Sequence, residues 1–334
     1  MRWKTILIIA ISAICLLEGF LLFENHQDKQ SDKAYTREYQ LNNRIFAVTL
    51  PEKIDFAGEA VPMQLYYVRE GMDRELLVNA YWQSNTLLLL KKANRFFRIM
   101  EPILRKNNVP DDFKYLALIE SGLSNVVSPA GASGFWQFMP ETGKKYGLEI
   151  SEEVDERYHL EKSTEAACKL LKNSYRIFGN WTLAAAAYNA GEGRIQKSLA
   201  EQKISGYYDL YLNQETARYI YRILALKLIY EHPTEFGYFL RNKDLYPAIP
   251  TYTYKVDSSV NKLADLALQL GLNYRIVKEF NPWLRKDKLT VKPGKPYSLT
   301  LPSKGYEQFE LLMNGMENPD LIFNDTVKSG KLFR

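Results

Sequence analysis

A helical spacing of apolar residues fills the middle of this 334-residue chain, from about Gly71 to Glu231. Apolar side chains recur there at intervals of three and four, and the pattern breaks at Gly, Pro and Asn, as it does between helices. Because strand-like alternation is almost absent, this stretch predicts an all-α domain. The predicted helices are Arg74–Gln83, Ser84–Lys106, Asp111–Ser121, Pro140–Tyr146, Ser163–Phe178, Trp181–Asn189 and Glu215–Tyr230.

The pattern changes after Pro247 and Pro250. Two stretches alternate as strands do, and two short stretches between them have helical spacing. We therefore predict a mainly α protein: an all-α domain over residues 61–247, a small βααβ domain over residues 251–302 and a C-terminal tail over residues 303–334. In chain order, the elements of the βααβ domain are Thr251–Val256, Asn261–Leu270, Tyr274–Phe280 and Tyr297–Leu301.

Residues 1–23 indicate export from the cytoplasm. A basic start precedes a nearly unbroken apolar run, Thr5–Leu17, and this order is typical of export signals. The run is short for a membrane span, and Glu18 directly after it would be unfavourable inside a bilayer. A cleaved signal, a retained membrane anchor and a lipid-modified Cys15 all fit this segment. Each of them places the rest of the chain in the cell envelope, on the periplasmic face of a membrane.

Composition and charge limit the classes of protein to which this chain can belong. With 46% hydrophobic and 25% charged residues, the chain has enough apolar material for a core, whereas residues 24–60 are polar and then extended and predict a linker. The net charge of +5 is small and no Lys/Arg run is present, so we expect no nucleic-acid partner. Two cysteines, Cys15 and Cys168, exclude a disulfide framework, and three His without ligand spacing predict no metal and no other cofactor.

Glu120 is a carboxyl group on an apolar helix. The predicted helix Asp111–Ser121 has an apolar stripe of Phe113, Leu116 and Ala117, and Glu120 is the next position on that stripe. Burial of a carboxylate is unfavourable unless it is paired or protonated, and burial raises the pKa, as a general acid near neutral pH requires. Position alone also fits a Glu that turns to solvent at the helix end or pairs with an Arg.

An uncharged loop follows Glu120. Residues Ser121–Pro140 include no Asp, Glu, Lys or Arg, and they provide small hydrogen-bonding residues and the aromatic pair Phe135 and Trp136. Such a lining suits an uncharged sugar, whose hydroxyl and amide groups need hydrogen bonds and whose rings stack on aromatic faces. The same two aromatic residues equally suit packing in the core.

Motifs in this region resemble those of a known family. Glu120-Ser121 is followed by Ser128-Pro-Ala-Gly-Ala-Ser-Gly-Phe-Trp-Gln-Phe-Met-Pro140, then by Ala187-Tyr-Asn-Ala-Gly191 and Glu215-Thr-Ala-Arg-Tyr-Ile220. In this order they resemble the signature of the soluble-type lytic transglycosylase domain, with Phe135-Trp136 where that family usually has Leu-Met. The resemblance implies a lysozyme-like fold, Glu120 as catalytic acid/base and a groove for peptidoglycan. The substrate-binding residues that it implies are Ser128, Gln137, Tyr188, Asn189 and Tyr219.

The implied reaction breaks the β-1,4 bond between N-acetylmuramic acid and N-acetylglucosamine and forms a 1,6-anhydromuramyl product. The lack of acidic residues in Ser121–Pro140 fits a site with one carboxyl group, in which the substrate's own N-acetyl group is the nucleophile. Hydrolysis by a goose-type lysozyme and non-catalytic wall binding are the alternatives, and outside the motifs Tyr188 and Tyr219 also fit buried tyrosines with satisfied hydroxyls. Expected partners are the glycan strands and, through residues 1–23, a membrane.

The predicted βααβ domain resembles LysM, a small module that binds N-acetyl groups of glycans. Tyr254-Lys-Val256, Leu263–Leu268, Asn281-Pro282 and Gly294-Lys-Pro-Tyr-Ser-Leu299 carry the resemblance. The usual Gly-Asp-Thr-Leu after the first strand is replaced by Asp257-Ser-Ser-Val260. The domain is therefore expected to have the LysM fold, and its role is either glycan binding or that of a packing or partner-binding module.

Overall fold

The structure, a computed structural model, describes residues 45–314 and 318–324 and the isolated positions Trp3, Glu18, Lys33, Thr36 and Arg37. Apart from those positions, the predicted signal or anchor and the polar part of the linker lie outside the described residues. The chain divides into one unit of residues 1–47 and a second unit of residues 48–334. No helix among the described residues combines the length and apolarity needed to cross a membrane.

Within the second unit, the part that ends at about Glu231 is mainly helical, as predicted. A two-strand hairpin, β1 (Asp55–Phe56) and β2 (Glu59–Ala60), precedes the helices. A 3₁₀ turn over Asp111–Phe113 leads into the third helix. The helices are α1 Tyr66–Tyr81, α2 Gln83–Lys106, α3 Lys114–Ser121, α4 Pro140–Lys145, α5 Leu160–Phe178, α6 Trp181–Ala190, α7 Glu192–Gln202 and α8 Gln214–Glu231.

Helix α1 begins at Tyr66, eight residues before its predicted start at Arg74. Gly71 lowers helix propensity and makes a boundary look plausible in the sequence. In the structure this glycine lets α1 approach α8 closely, because a Cβ at Gly71 would lie 2.9 Å from Cε2 of Tyr221. Gly71 therefore serves a tertiary contact inside α1 and does not mark a helix boundary.

Helix α7 was not predicted. Its only buried residue is Ile195, so the apolar spacing that identifies a helix in a sequence is too weak here. The remaining helices agree with the predicted ones to within a few residues at their ends.

Helix α3 lies in the core of the helical part. Tyr115, Leu116, Ala117 and Leu118 are all buried, as expected for a helix that is apolar on most sides. The helix ends at Gly122, whose φ of 58° is in the left-handed region that favours glycine. This stop places Glu120 in the last turn, where the chain leaves the core.

The second part has the predicted βααβ order. Its two strands pair antiparallel, from Thr251 opposite Pro302 to Val256 opposite Tyr297. A further short helix follows the last strand. The elements are β3 Thr251–Val256, α9 Leu263–Gln269, α10 Tyr274–Phe280, β4 Tyr297–Pro302 and α11 Phe309–Asn314.

The core of the βααβ part includes residues from the helical part. Leu263, Val277 and Leu299 are fully buried in it, and Val154 and Tyr158, which precede α5, pack into the same cluster. The small domain is thus built partly on a segment of its larger neighbour.

Candidate active site

Glu120 is partly buried in the last turn of α3. The hydroxyl of Tyr219, from the middle of α8, donates a hydrogen bond to its Oε1. Tyr219 is itself buried, with 2% of its surface exposed, and α3 and α8 pack against each other. Core packing therefore brings this carboxyl group and this hydroxyl together.

The surroundings of Glu120 raise its pKa above the ordinary value of 4.5. Burial is the largest cause, because it disfavours the charged form. The hydrogen bond from Tyr219 and the positive charge of Arg222 act in the opposite direction, and the negative charge of Glu215 adds to the increase. The net result is a carboxyl group that stays protonated to higher pH than an exposed Glu.

Glu215 and Arg222 were not among the predicted site residues. Together with Tyr219 they occupy positions i, i+4 and i+7 of α8, which lie on one face of a helix. Because Tyr219 was a predicted site residue, this helical spacing could have identified Glu215 and Arg222 from the sequence. Both charged groups reach Glu120 electrostatically.

The loop of residues 128–138 is organised by its own hydrogen bonds. Ser128 Oγ accepts from the backbone N–H of Ala132 at 3.0 Å. Gln137 has a φ of 47°, and its Nε2 donates to the carbonyl oxygens of Gly134 at 2.7 Å and Val126 at 3.1 Å. The two predicted substrate-binding residues of this loop, Ser128 and Gln137, thus also determine its shape.

The loop is attached to the end of α3 and to α6. Ser121 Oγ donates to the carbonyl oxygen of Phe135 at 2.9 Å, and the Tyr188 hydroxyl donates to that of Trp136 at 2.5 Å. Burial raises the pKa of Tyr188 well above 10, and the charge of Glu120 adds to the increase. Tyr188 therefore remains a hydrogen-bond donor next to the Glu120 site.

The two aromatic residues of the loop belong to the core. Trp136 has no exposed surface and donates from Nε1 to Oγ1 of Thr164 at 2.9 Å. Phe135 is 5% exposed and packs edge-on against Phe96. The interpretation of these rings as faces for stacking on a sugar is wrong, because both are already covered by protein.

Asn189, at the end of α6, joins two of the sequence motifs. Its Oδ1 accepts from Oγ1 of Thr216 at 2.9 Å, and its Nδ2 donates to Oε1 of Glu215 at 3.3 Å. The Ala187–Gly191 motif and the Glu215–Ile220 motif therefore meet beside Tyr219. The structure brings Tyr219, Tyr188 and Asn189 to the Glu120 region, and Ser128 and Gln137 to the loop that closes on α3.

Two family models match the chain. Residues 98–210 match the transglycosylase SLT domain, and residues 252–305 match the soluble lytic transglycosylase C-terminal LysM-like domain. Glu120 and the loop lie within the first match, whereas Tyr219 follows it.

Curated relatives are similar to this chain over different shares of its length. Membrane-bound lytic murein transglycosylase D of Escherichia coli is 30% identical over 255 residues, which are 74% of this chain and 54% of that protein. A putative tributyltin chloride resistance protein of an Alteromonas species is 30% identical over 134 residues, 40% of this chain and 65% of that protein. The chain thus spans about half the length of the Escherichia coli relative.

Solved structures also show a partial likeness. The 70 kDa soluble lytic transglycosylase of Escherichia coli is 24% identical with a TM-score of 0.35, over 41% of this chain and 24% of that chain. An inactive mutant of the lytic transglycosylase Slt of Pseudomonas aeruginosa is 21% identical with a TM-score of 0.33, over 42% of this chain and 24% of that chain. From the two family matches, the chain contains a transglycosylase SLT domain followed by a LysM-like domain of the soluble lytic transglycosylase C-terminal type.

Proposed function

We propose that this protein is a peptidoglycan lytic transglycosylase, with a catalytic domain over residues 61–247 and a LysM-like domain over residues 251–302. The two family matches and the similarity to a murein transglycosylase support this activity. Its substrate is the β-1,4 bond between N-acetylmuramic acid and N-acetylglucosamine. The observation that carries the proposal is Glu120, a partly buried carboxyl group with a raised pKa and a Tyr hydroxyl on one oxygen.

In the first step, protonated Glu120 gives its proton to the oxygen of the glycosidic bond. The carbonyl oxygen of the muramyl N-acetyl group attacks C1 as the bond from C1 to the leaving oxygen breaks, which releases the N-acetylglucosamine end and leaves an oxazolinium ring. The raised pKa favours this step, because an acid must be protonated at the working pH.

In the second step, the Glu120 carboxylate takes the proton of the muramyl 6-hydroxyl. O6 attacks C1, the bond between C1 and the N-acetyl oxygen breaks, and a 1,6-anhydro ring closes. Glu120 is again protonated and no water is consumed. The hydrogen bond from Tyr219 stabilises the carboxylate that exists between the two steps.

The other predicted residues would orient the substrate. Tyr188 and Asn189 would do so from the end of α6, and Ser128 and Gln137 from the loop beside α3. Each of these side chains already makes a hydrogen bond within the protein, which limits its rotation and prepares it for a defined position.

Hydrolysis by a goose-type lysozyme mechanism is the second candidate. The observation that favours it is Glu215, an exposed carboxylate whose charge acts on Glu120, because a second carboxylate can activate a water molecule. The two reactions differ in product mass by one water, since only hydrolysis adds water to the muramic acid end.

The test is mass analysis of muropeptides released from purified sacculi by the wild type, Glu120→Gln and Glu231→Gln proteins. Glu231 is a matched control: it is partly buried, burial raises its pKa, and it accepts from the Tyr115 hydroxyl at 3.2 Å. It lies 12 positions after Tyr219 in α8, roughly 18 Å further along the helix.

We expect anhydromuropeptides from the wild type and Glu231→Gln proteins and none from Glu120→Gln. Hydrolytic products alone would overturn the transglycosylase proposal. Equal activity of the wild type and Glu120→Gln proteins would remove Glu120 from its role. No product from any of the three would favour the non-catalytic wall-binding alternative.

We further propose that the protein works in the cell envelope, at the periplasmic face of a membrane. The export pattern of residues 1–23 and the membrane-bound relative support this location. Fractionation of cells that express the full chain, with and without residues 1–23, tests it. We expect the full chain in the envelope fraction, and its recovery from the cytoplasm would contradict the proposal.

A further inference from the structure

A buried ion pair lies between the loop of residues 128–138 and the βααβ domain. Arg157 and Asp155 are 8% and 6% exposed. The Arg157 Nη2 atom is 2.7 Å from Asp155 Oδ2, and its Nε is 3.0 Å from Oδ1. Such a two-point pair fixes the plane of the guanidinium group.

The free edge of this guanidinium group binds the loop. Arg157 Nη1 donates to the carbonyl oxygens of Gly131 at 2.9 Å and Phe138 at 3.1 Å, near the two ends of the loop. In between, Gly134 lies so close that a Cβ there would be 2.0 Å from the Arg157 carbonyl oxygen. Arg157 therefore contacts the loop at three places.

The other side of the pair is attached to the βααβ domain. The Asp155 N–H donates to the carbonyl oxygen of Trp283 at 2.9 Å, and the Arg285 N–H donates to that of Glu153 at 2.7 Å. The Glu153 carboxylate accepts from the N–H of Thr290 at 2.8 Å. These bonds flank Val154, which is buried in the core of the small domain, so the segment that carries the pair cannot shift without disturbing that domain.

The same loop reaches the end of α3 through the bond from Ser121 to Phe135. A continuous set of contacts thus runs from the βααβ domain through Asp155 and Arg157 to the loop beside Glu120. We propose that Arg157 is a positioning residue for this loop and that the LysM-like domain serves to keep Arg157 in place. The expected effect on catalysis rests on the proposed function, whereas the effect on the loop does not.

The test compares Arg157→Lys with the wild type and with Arg241→Lys in the full chain. Lys keeps the charge, but its donors share one nitrogen and cannot replace the planar fork that pairs with Asp155 at two points while Nη1 binds the loop. Arg241 is a matched control, because it also forms a two-point pair, with Asp244 at 2.8 and 2.9 Å, but on an exposed surface. Hydrogen exchange of the Ser133 and Phe138 amides, which bond to each other's carbonyl groups, reports loop order without any substrate.

We expect faster exchange of these two amides in Arg157→Lys alone. With soluble glycan strands as substrate, we expect KM to rise about tenfold with kcat little changed, because a displaced loop loses aligned contacts to the substrate. A purely structural role would lower the thermal midpoint and leave KM of the folded protein unchanged. Unchanged exchange, or an unchanged KM, in Arg157→Lys would overturn the proposal.

A second variant, Glu153→Gln, tests the link to the βααβ domain and leaves Arg157 intact. It removes the charge that pairs with Lys288 at 3.1 Å and weakens the contact with Thr290. We expect a smaller increase in exchange of the Ser133 and Phe138 amides than in Arg157→Lys. Exchange equal to the wild type would contradict the role of the small domain. If the wild type releases no anhydromuropeptides, the proposed function fails while the exchange measurements still decide the role of Arg157.

Discussion

The hydroxyl of Tyr219 donates a hydrogen bond to Glu120, although the two residues are 99 positions apart in the sequence. This bond favours the charged carboxylate, whereas burial favours the protonated acid. A group that first gives and then takes a proton must populate both its protonated and its ionised form. Burial and the Tyr219 hydrogen bond act on the pKa of Glu120 in opposite directions, which suits a group that acts as both acid and base.

Replacing Tyr219 with Phe should move the alkaline limb of the pH profile of kcat/KM to higher pH. The substitution removes a bond that stabilises the carboxylate, so the pKa of Glu120 rises and the acid stays protonated further into the alkaline range. Tyr207→Phe is the control, because its hydroxyl donates to backbone carbonyls of α8 at 2.7 and 2.9 Å instead. A limb that moves to lower pH, or moves equally in the control, would speak against this function of Tyr219.

Replacing Glu215 with Gln should have the opposite effect. The negative charge of Glu215 raises the pKa of Glu120, so its removal lowers that pKa and moves the alkaline limb to lower pH. Because Glu215 is exposed, the shift should shrink as ionic strength rises. The measurement is the same profile at low and high salt, and no shift at low salt would contradict the prediction.

At neutral pH, the free energy of unfolding of Glu120→Gln should exceed that of the wild type by about 1 kcal/mol. The pKa of Glu120 is higher in the folded than in the unfolded state, so the wild type loses stability as pH rises from the unfolded pKa through the folded one. Below pH 4.5, the ordinary pKa of the group, the two proteins should converge. Urea unfolding at both pH values checks this, and a less stable variant at neutral pH would refute it.

Gly134→Ala should destabilise the protein far more than Gly131→Ala. Both glycines have positive φ, 79° and 87°, but a Cβ would strike the Arg157 carbonyl at Gly134 and meet open space at Gly131. We expect a loss of about 3 kcal/mol or more at Gly134 and about 1 kcal/mol at Gly131. Equal losses in urea unfolding would show that the close approach to Arg157 does not matter.

Asn281→Ala should destabilise the βααβ domain by about 3 kcal/mol, because it leaves buried backbone groups without partners. Asn281 is fully buried, and its side chain bonds the N–H of Thr300 at 2.8 Å and the carbonyl oxygen at 2.7 Å. Asn273→Ala, which removes only the cap of α10, should lose about 1 kcal/mol. The measurement is the stability of both variants in thermal unfolding. An Asn281→Ala protein as stable as the wild type would indicate that Asn281 has a role other than folding.

Local pattern predicted much of the fold. The periodicities of 3.6 and 2 located most helices of the first part and both strands of the second, because these elements bury one regular set of side chains. Helix α7 buries only Ile195, so it has no such set of side chains and was not predicted. The predicted start of α1, Arg74, was also eight residues too late, since Gly71 lowers helix propensity and its close approach to Tyr221 leaves no local pattern in the sequence.

The residues of the candidate site could be predicted only in part from the sequence. The apolar stripe marked Glu120, and the motifs marked Tyr188, Asn189 and Tyr219. The sequence leaves open whether Trp136 faces a sugar or the core, because an aromatic side chain suits either place. In the structure, Trp136 is completely buried and donates a hydrogen bond to Thr164, so it belongs to the core.

The sequence by itself determined the order of the elements, the position of Glu120 at the end of an apolar helix and the family motifs around it. Only the tertiary structure decided that Tyr219, Glu215 and Arg222 of α8 face Glu120, and that Asp155 and Arg157 join the loop to the small domain. The physical reason is that burial and electrostatic effects depend on distances between residues far apart in the chain. Those distances are set by packing of the helices and not by spacing along the sequence.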